Sequence, residues 1–364
     1  MAAAGDVLRG KYRLLRGIGE GGMGQVFEAE HLHTGAHVAI KLLHADMLDH
    51  GTARRRFLRE ARASARVGHR NIVEVYDLDM DDSGAVPFIV QELLTGRTLA
   101  AALAALPEGR MSPHAALTTL VPLMGALVGA HRRGVVHRDL KPANIFLCEG
   151  ADGAVTPKLI DFGIAKELAA GEATSLTATG AVLGSPEYMS PEQVAGDTTV
   201  DAQTDVWAMG VVLYEALTGR PPFHGDSPTG TMVKVLHAPV PPITSWGVEL
   251  GADLAAAVHR ALERDRSARH ATMQRFVEAL LETRAWRSEA TLVEFDTTER
   301  DLPPPSEREA DPDAPTLVRD DAPRVSRPQR TPPRAMPWWA VVLGAVLLAA
   351  VAALIGRAIG RAGS

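Results

Sequence analysis

The sequence predicts an α+β fold in which an antiparallel sheet comes first and a mainly helical part follows. Up to about residue 94, short stretches of alternating apolar residues are separated by turns, and one helical stretch, Thr52 to Val67, interrupts them. From Ser112 onward the apolar spacing is that of long helices, beginning with a Ser-Pro pair suited to a helix cap and first turn. We therefore predict two lobes, at residues 12–94 and 95–286.

Composition narrows the class of protein. The chain has 364 residues and is 46% hydrophobic, which is enough for a sizeable core. Its net charge of -6 argues against nucleic acid as the main partner. The single cysteine, Cys148, excludes an internal disulfide, and we expect it to be a buried spectator. The first fifteen residues have no apolar core preceded by positive charge, so no signal peptide is predicted.

A glycine-rich loop follows the first predicted strand, Tyr12 to Ile18. The stretch from Gly19 to Val26 fits G-x-G-x-x-G-x-V, and its glycines allow the backbone to approach phosphates closely. The same glycine spacing occurs in dinucleotide-binding folds, which place a helix directly after it. Here Val26 to Ala29 continues as a strand and returns as Val38 to Lys41, and this hairpin argues against a dinucleotide fold.

Further strands and one long helix complete the predicted elements. Ile72 to Tyr76 and Pro87 to Gln91 are expected to be the last strands of the first sheet. The run from Ala115 to Arg132 is apolar on most sides, as a buried helix is. Pro122 lies inside this run and predicts either a kink or a later start to the regular helix.

The chemistry is concentrated in Val135 to Leu147, whose sequence is VVHRDLKPANIFL. Asp139 can accept the proton of an attacking hydroxyl, Lys141 can neutralise a phosphoryl group, and Asn144 can bind a divalent cation without adding charge. Farther along, the short strand Lys158 to Ile160 ends at Asp161, a second carboxylate able to chelate magnesium. Together these residue types predict phosphoryl transfer.

These motifs, in this order, resemble those of the bacterial, eukaryotic-like serine/threonine protein kinases. The resemblance covers about Tyr12 to Trp286 and implies the two-lobed protein kinase fold, with an N-lobe sheet plus one helix and a mainly helical C-lobe. The catalytic loop alone also resembles aminoglycoside phosphotransferases. The segment Gly184 to Tyr188, similar to a protein-substrate docking segment, and the Ser190-Pro191-Glu192 motif make phosphorylation of small molecules the weaker interpretation.

The resemblance implies a role for each site residue. Asp139 and Lys141 would act in catalysis with Lys41, which would hold the α- and β-phosphates and pair with Glu60. Asn144 and Asp161 would bind Mg²⁺, with Mn²⁺ as the alternative metal. Gln91 aligns as the gatekeeper of a hinge, residues 91–94, that binds adenine through its backbone. The implied ATP-binding residues are Ile18, Gly19, Glu20, Gly21, Gly22, Met23, Gly24, Gln25, Val26, Ala39, Lys41, Glu92 and Leu94.

The same resemblance implies supporting and regulatory residues. Asp205, in a D-V-W-A-M-G stretch, would cap the catalytic-loop backbone, and Arg269 would pair with Glu192. Arg138 would supply the cation against which a phosphothreonine orders. The candidate autophosphorylated residues of the activation segment are Thr177 and Thr179.

Residues 287–337 are rich in proline, acid and arginine without apolar periodicity, so they are predicted to be a disordered linker. Two short echoes within it, around Thr291 and Thr316, either serve as phosphothreonine docking sites for forkhead-associated domains or are coincidences of biased composition.

Residues 338–356 carry no charge and just span a bilayer, which predicts one transmembrane helix followed by a short tail, residues 357–364. More arginines precede this segment than follow it, so we expect a single-pass protein of the cell membrane with its kinase domain in the cytoplasm. We expect no extracellular sensor domain, so activation from outside would need a partner or the membrane itself.

The expected function is a serine/threonine protein kinase that uses ATP and Mg²⁺, acts on protein substrates and autophosphorylates in trans as a homodimer. The competing class is a scaffold that binds nucleotide without catalysis. Such pseudokinases usually lack an equivalent of Lys41, Asp139 or Asp161, and all three are present here.

Overall fold

The computed structural model describes residues 2–21, 24–43, 67–84, 86–150, 153–161, 185–197 and 200–287. Several predictions fall outside these ranges: those on Gly22, Met23, Glu60 and its helix up to residue 66, Thr177, Thr179, nearly all of the linker, and the transmembrane segment.

An antiparallel sheet of six strands forms the first lobe, in the spatial order β1-β2-β3-β4-β6-β5. Its strands are β1 (Val7–Leu8), β2 (Tyr12–Gly21), β3 (Gly24–His31), β4 (His37–Leu43), β5 (Val75–Met80) and β6 (Pro87–Glu92). One face buries Leu14, Ile40 and Phe88 in a shared apolar core. The predicted hairpin is confirmed, since β3 pairs antiparallel with β4.

The glycine-rich stretch is part of this sheet. Strand β2 runs past the predicted end at Ile18 and pairs with β3 until Gly21 lies opposite Gly24. A Cβ atom on Gly24 would lie 1.9 Å from the carbonyl oxygen of Leu42. The third glycine of the motif is therefore required by the close approach of β3 to β4, in addition to any approach to phosphate.

The strand predicted at Ile72 to Tyr76 is wrong in its position. Ile72 instead forms an isolated parallel bridge with Leu159, and β5 begins only at Val75. The buried side-chain amide of Asn71 donates a hydrogen bond of 2.7 Å to the carbonyl oxygen of Pro157. Because a buried amide must find a partner, this bond holds the segment beside the second sheet.

The second lobe contains a three-stranded sheet, in the order β7-β8-β9, and a set of helices. The strands are β7 (Gly96–Thr98), β8 (Ile145–Glu149) and β9 (Val155–Leu159). The described α-helices are α1 (Leu99–Ala105), α2 (Pro113–His131), α3 (Pro191–Val194), α4 (Ala202–Thr218), α5 (Pro228–His237), α6 (Ala252–Ala261) and α7 (Met273–Leu281).

Helix α2 begins where the sequence predicts. The Ser112 side chain accepts a hydrogen bond of 3.2 Å from the Ala115 amide, and Pro113 occupies the first turn. The helix continues through Pro122, so the alternative of a later start is wrong. Within the described residues, α2 is also the helix long and apolar enough to cross a membrane, but its apolar side chains belong to the core of this lobe.

Helix α4 is the centre of the second lobe, and nearly all of its side chains are buried. Its Asp201 cap accepts a hydrogen bond from the Gln203 amide, and Gly219 ends it in the left-handed conformation at φ 79°. Trp207 stacks on Phe223 with ring centroids 5.8 Å apart. This buried helix gives the surrounding loops a rigid support.

A buried ion pair fastens helix α3 to the segment before α7, as the sequence predicts. Arg269 Nη1 lies 2.8 Å from Glu192 Oε1 and Nη2 lies 3.2 Å from Oε2, and the arginine side chain is 0% exposed. Thr204 also donates to Glu192. Burial alone would raise the pKa of Glu192, but the hydrogen bonds and charge of Arg269 hold it below its ordinary value.

The change Arg269→Met is expected to lower the free energy of unfolding by about 3–5 kcal/mol, because it leaves the Glu192 carboxylate buried without its cation. Urea denaturation at pH 7 measures this. The control Arg275→Met removes an exposed arginine that pairs with Glu278 on helix α7, and should cost no more than about 1 kcal/mol. Equal costs for the two variants would contradict a special role for the buried pair.

Candidate active site

The loop from Val135 to Asn144 connects α2 with β8 and carries the predicted catalytic residues. Val135 is buried, and residues Pro142–Asn144 form one 3-10 turn that leads directly into the strand. The Ile160 amide donates a hydrogen bond of 3.0 Å to the carbonyl oxygen of Asn144. This bond brings the end of the loop beside the segment that contains Asp161.

Asp139, Lys141 and Asn144 meet in this loop. Asp139 Oδ2 lies 3.0 Å from Lys141 Nζ and accepts a hydrogen bond of 3.0 Å from Asn144 Nδ2. Asn144 Nδ2 also donates to the Asp139 carbonyl oxygen at 2.8 Å. The carboxylate is thus oriented by two donors from within its own loop, while its side chain stays 20% exposed. A group held in this way is positioned to act as a base.

Asp205 caps this loop from helix α4, the contact that the sequence predicts. Its carboxylate accepts hydrogen bonds of 2.8 Å from the amides of His137 and Arg138, and it lies 2.7 Å from His131 Nε2. Arg138 has the left-handed φ of 66°, a conformation unfavourable for a non-glycine residue. The two amide bonds stabilise that conformation, and with it the direction of the Asp139 side chain.

Burial and hydrogen bonding act on Asp205 in opposite directions. Complete burial would raise its pKa, but the hydrogen bond and charge of His131 and the contacts with His137 hold the pKa below its ordinary value of 3.8. The buried imidazole of His137 has a lowered pKa because desolvation disfavours its charged form, although Asp205 and Asp139 oppose that effect. The directions of these shifts favour a charged Asp205 carboxylate and a neutral His137 imidazole.

Lys41 and Asp161 are in direct contact across the two lobes. Lys41 Nζ lies 2.6 Å from Asp161 Oδ1. The lysine side chain is only 10% exposed on β4, whereas the Asp161 side chain is 43% exposed. Asp161 also has a left-handed φ, 56°. The predicted Lys41–Glu60 pair lies outside the described residues and stays a prediction.

Asn144 and Asp161 have the chemistry of a magnesium site. Because Asn144 Nδ2 points to Asp139, its amide oxygen is turned away and remains available as a ligand. Within the described ranges no cluster of three or more His, Cys, Asp or Glu side chains could hold a metal. One carboxylate and one amide oxygen suit Mg²⁺, which usually keeps waters and takes the remaining ligands from phosphates. The donor set therefore fits this ion.

The predicted nucleotide-binding residues that the structure describes lie on strands β2, β3, β4 and β6, or directly after β6. Ile18 is 39% exposed on β2, whereas Ala39 is buried on β4 next to Lys41. Gln91, the predicted gatekeeper, pairs in register with Ala39, whereas Lys41 pairs with Ile89 in the same neighbouring strand. Glu92 ends β6, and Leu94 lies two residues beyond it. The roles of these residues in binding ATP stay predictions.

The docking segment is held by contacts with helix α4 and the catalytic loop. Residues Pro186–Tyr188 form a 3-10 turn, and Tyr188 Oη donates a hydrogen bond of 2.7 Å to Glu215 Oε2. Burial, followed by the charge of Glu215, raises the pKa of Tyr188, so the phenol stays protonated. Gln193 Nε2 donates to the Arg138 carbonyl oxygen at 3.0 Å. Arg138 itself donates to the carbonyl oxygen of Val200.

Two residues near the site, His131 and Lys158, were not predicted from the sequence to have a role. His131 contacts Asp205 at the end of α2, and Lys158 pairs with Glu92 at the hinge. Neither residue lies in a motif that predicts a role, although the histidine at the end of a buried helix could have indicated a buried polar contact. Cys148 is half-buried on β8, not buried as predicted, and burial raises the pKa of its thiol.

Comparison with known proteins agrees with this geometry. A family model described as the protein kinase domain matches residues 12–285. The chain is 39% identical over 271 residues to the serine/threonine-protein kinase Pkn1 of Myxococcus xanthus, covering 74% of this chain and 38% of the relative. It is 41% identical over 268 residues to the serine/threonine-protein kinase PknB of Mycobacterium tuberculosis, covering 73% and 41%.

Solved structures show the same similarity. The crystal structure of the Mycobacterium tuberculosis PknI kinase domain superposes with a TM-score of 0.61 at 28% identity, covering 78% of this chain and 99% of that one. The chain therefore belongs to the protein kinase family, with a two-lobed kinase domain of the serine/threonine type. It spans about two fifths of the length of the curated relatives Pkn1 and PknB.

Replacing Asp205 should change the acid stability of the domain. The pKa of Asp205 in the folded state lies below the unfolded value of 3.8. Asp205 therefore contributes to the free energy of unfolding above pH 3.8, and this contribution is lost as the pH falls through the folded-state pKa. Asp205→Asn should unfold at a lower urea concentration than the wild type at pH 7. As the pH is lowered below 3.8, its free energy of unfolding should fall less than that of the wild type. Asp201→Asn, an exposed cap on the same helix, should lower the stability at pH 7 much less than Asp205→Asn does, since asparagine also caps helices. Parallel pH profiles for wild type and Asp205→Asn would contradict this assignment.

Proposed function

We propose that this protein is a serine/threonine protein kinase that transfers the γ-phosphoryl group of ATP to hydroxyl groups of protein substrates in bacterial signalling. The observation that carries the proposal is the convergence of Asp139, Lys141 and Asn144 in one loop, next to the Lys41–Asp161 contact. A base, two cations and a metal-binding pair are the parts that phosphoryl transfer requires.

Each residue has a distinct task in the proposed reaction. Asp139 orients the substrate hydroxyl and accepts its proton as the oxygen bonds to the γ-phosphorus and the bond to the β-phosphate oxygen breaks. Lys141 stabilises negative charge on the phosphoryl group, and Lys41 holds the α- and β-phosphates. Asn144 and Asp161 would hold Mg²⁺, which supplies charge neutralisation at the phosphates when bound.

The regulatory part of the proposal concerns the activation segment. Thr177 and Thr179 are proposed as autophosphorylation sites, with Arg138 of the catalytic loop as a cation for their phosphate groups. We further propose that a homodimer carries out this modification in trans. The rate of autophosphorylation per enzyme molecule would then rise with enzyme concentration, and a rate independent of concentration would exclude the dimer.

The C-terminal part of the proposal concerns location and partners. Residues 287–337 would act as a disordered linker, residues 338–356 as a single transmembrane helix, and the kinase domain would lie in the cytoplasm. Thr291 and Thr316 would recruit forkhead-associated domains once phosphorylated. The support is the sequence pattern: an uncharged stretch preceded by arginines and two short threonine motifs.

Phosphotransfer from labelled ATP to the chain itself and to a generic basic protein tests the activity. Asp139→Asn and Lys41→Met should each lower the rate by about a hundredfold or more, because one removes the base and the other the phosphate cation. Mass spectrometry should place the label on Thr177 or Thr179. Asp265→Asn makes the same chemical change on a surface turn and should leave the rate unchanged. Folded, ATP-binding protein without any transfer would instead support the scaffold interpretation.

Membrane attachment is tested by separating vesicles from soluble protein. The full chain should remain with the vesicles after washing at high salt, because a spanning helix is held by apolar contacts that salt does not screen. A chain without residues 338–356 should be released. Equal retention of both forms would show that the transmembrane helix is not the anchor.

A further inference from the structure

The hinge carries an ion pair that neither the motifs nor the reaction requires. Lys158 Nζ lies 2.6 Å from Glu92 Oε1 and 2.8 Å from Glu92 Oε2. The two side chains are only 17% and 18% exposed. We call this contact the hinge pair. Charges that are largely removed from water are screened less than surface pairs, so the hinge pair is expected to have a measurable effect.

Glu92 is also bonded to the strand next to it. Its Oε1 accepts a hydrogen bond of 2.8 Å from the Glu74 amide, and its own amide donates to the Glu74 carbonyl oxygen at 3.0 Å. One carboxylate therefore joins the end of β6, the start of β5 and the lysine of β9. The backbone at this point is fixed in position by charge-assisted bonds.

Lys158 belongs to the strand that leads to the metal-binding aspartate. Strand β9 is bonded on one side to β8, and Leu159 exchanges backbone hydrogen bonds with Asn71 and Val73. The next amide, that of Ile160, donates to Asn144, and Asp161 follows. The hinge pair thus connects the adenine side of the predicted nucleotide site with the strand that positions the metal ligands.

We infer that Lys158 is a positioning residue that holds the hinge backbone against β9 and thereby sets the affinity for nucleotide. This inference rests on the proposed function, because it takes residues 91–94 as the adenine-binding hinge. Neither charged group touches Asp139, Lys141 or Lys41 among the contacts of the described residues. The hinge pair should therefore affect binding of ATP and ADP more strongly than the transfer step.

The test compares nucleotide binding and catalysis in the full-length chain. Lys158→Met should raise the Kd for magnesium ADP, measured by calorimetry, and the KM for ATP by about three- to tenfold, the range for loss of a partly buried ion pair. The kcat should change by less than about twofold, since transition-state contacts are untouched. Lys158→Arg, which keeps the cation, should restore most of the affinity.

Two further variants separate the hinge pair from general effects. Glu92→Gln should weaken binding as Lys158→Met does, and the double variant should be no weaker than the worse single one, because both remove the same interaction. Arg97→Met is the matched control: Arg97 pairs with Glu149 at 3.3 Å on the same small sheet, but both side chains are more than half exposed. It should leave the Kd and KM unchanged.

Some outcomes would overturn the inference. An unchanged Kd for ADP in Lys158→Met, with only a lower midpoint of thermal unfolding, would make the pair merely structural. A fall in kcat without a change in Kd would also contradict it. If the wild-type protein binds ADP but transfers no phosphate, the proposed function is refuted and the inference about Lys158 is not. The affinities of the variants for ADP would still decide the role of Lys158.

Discussion

The buried carboxylate of Asp205 makes the contacts on which the geometry of the candidate active site depends. It lies in the first turn of the most buried helix and accepts two amides of the catalytic loop. Without those acceptors, the amides of His137 and Arg138 would be buried without partners, and the left-handed φ of Arg138 would lose its support. The direction of the Asp139 side chain is therefore set by a residue sixty-six positions later in the chain.

The same turn of helix α4 also supports the docking segment. Thr204, the neighbour of Asp205, donates to Glu192, which is held by Arg269. From the other side, Gln193 donates to the carbonyl oxygen of Arg138. The catalytic loop and the helix after the docking segment thus share one rigid support and are bonded to each other. A displacement of either one must disturb buried polar contacts, whose loss is costly in a low-dielectric interior.

Sequence reasoning succeeded where a charged residue lay in a motif that resembles a known family, and it failed where the position of a residue depended on backbone far away in the chain. The partners of Asp205 and Arg269 were predicted because both residues lie in motifs that resemble those of protein kinases, and the burial of both charges explains why partners are needed. The pairing of Lys158 with Glu92 had no such signal, since both types are ordinary on surfaces. The strand misplaced at Ile72 to Tyr76 has a suitable apolar pattern, yet Asn71 bonds to the second sheet and delays the strand to Val75. Periodicity cannot show which sheet a segment joins.

Two described residues of the site, Arg138 and Asp161, have left-handed backbones at φ 66° and 56°. For residues other than glycine this conformation costs of the order of 1–2 kcal/mol, and it persists only where other contacts determine it. Asp205 bonds the Arg138 amide, while Lys41 holds the Asp161 carboxylate from the other lobe. Two of the four described non-glycine residues with positive φ therefore lie on either side of Asn144 in the chain. This backbone directly precedes Asp139 and includes Asp161, and the contacts that maintain it come from helix α4 and strand β4.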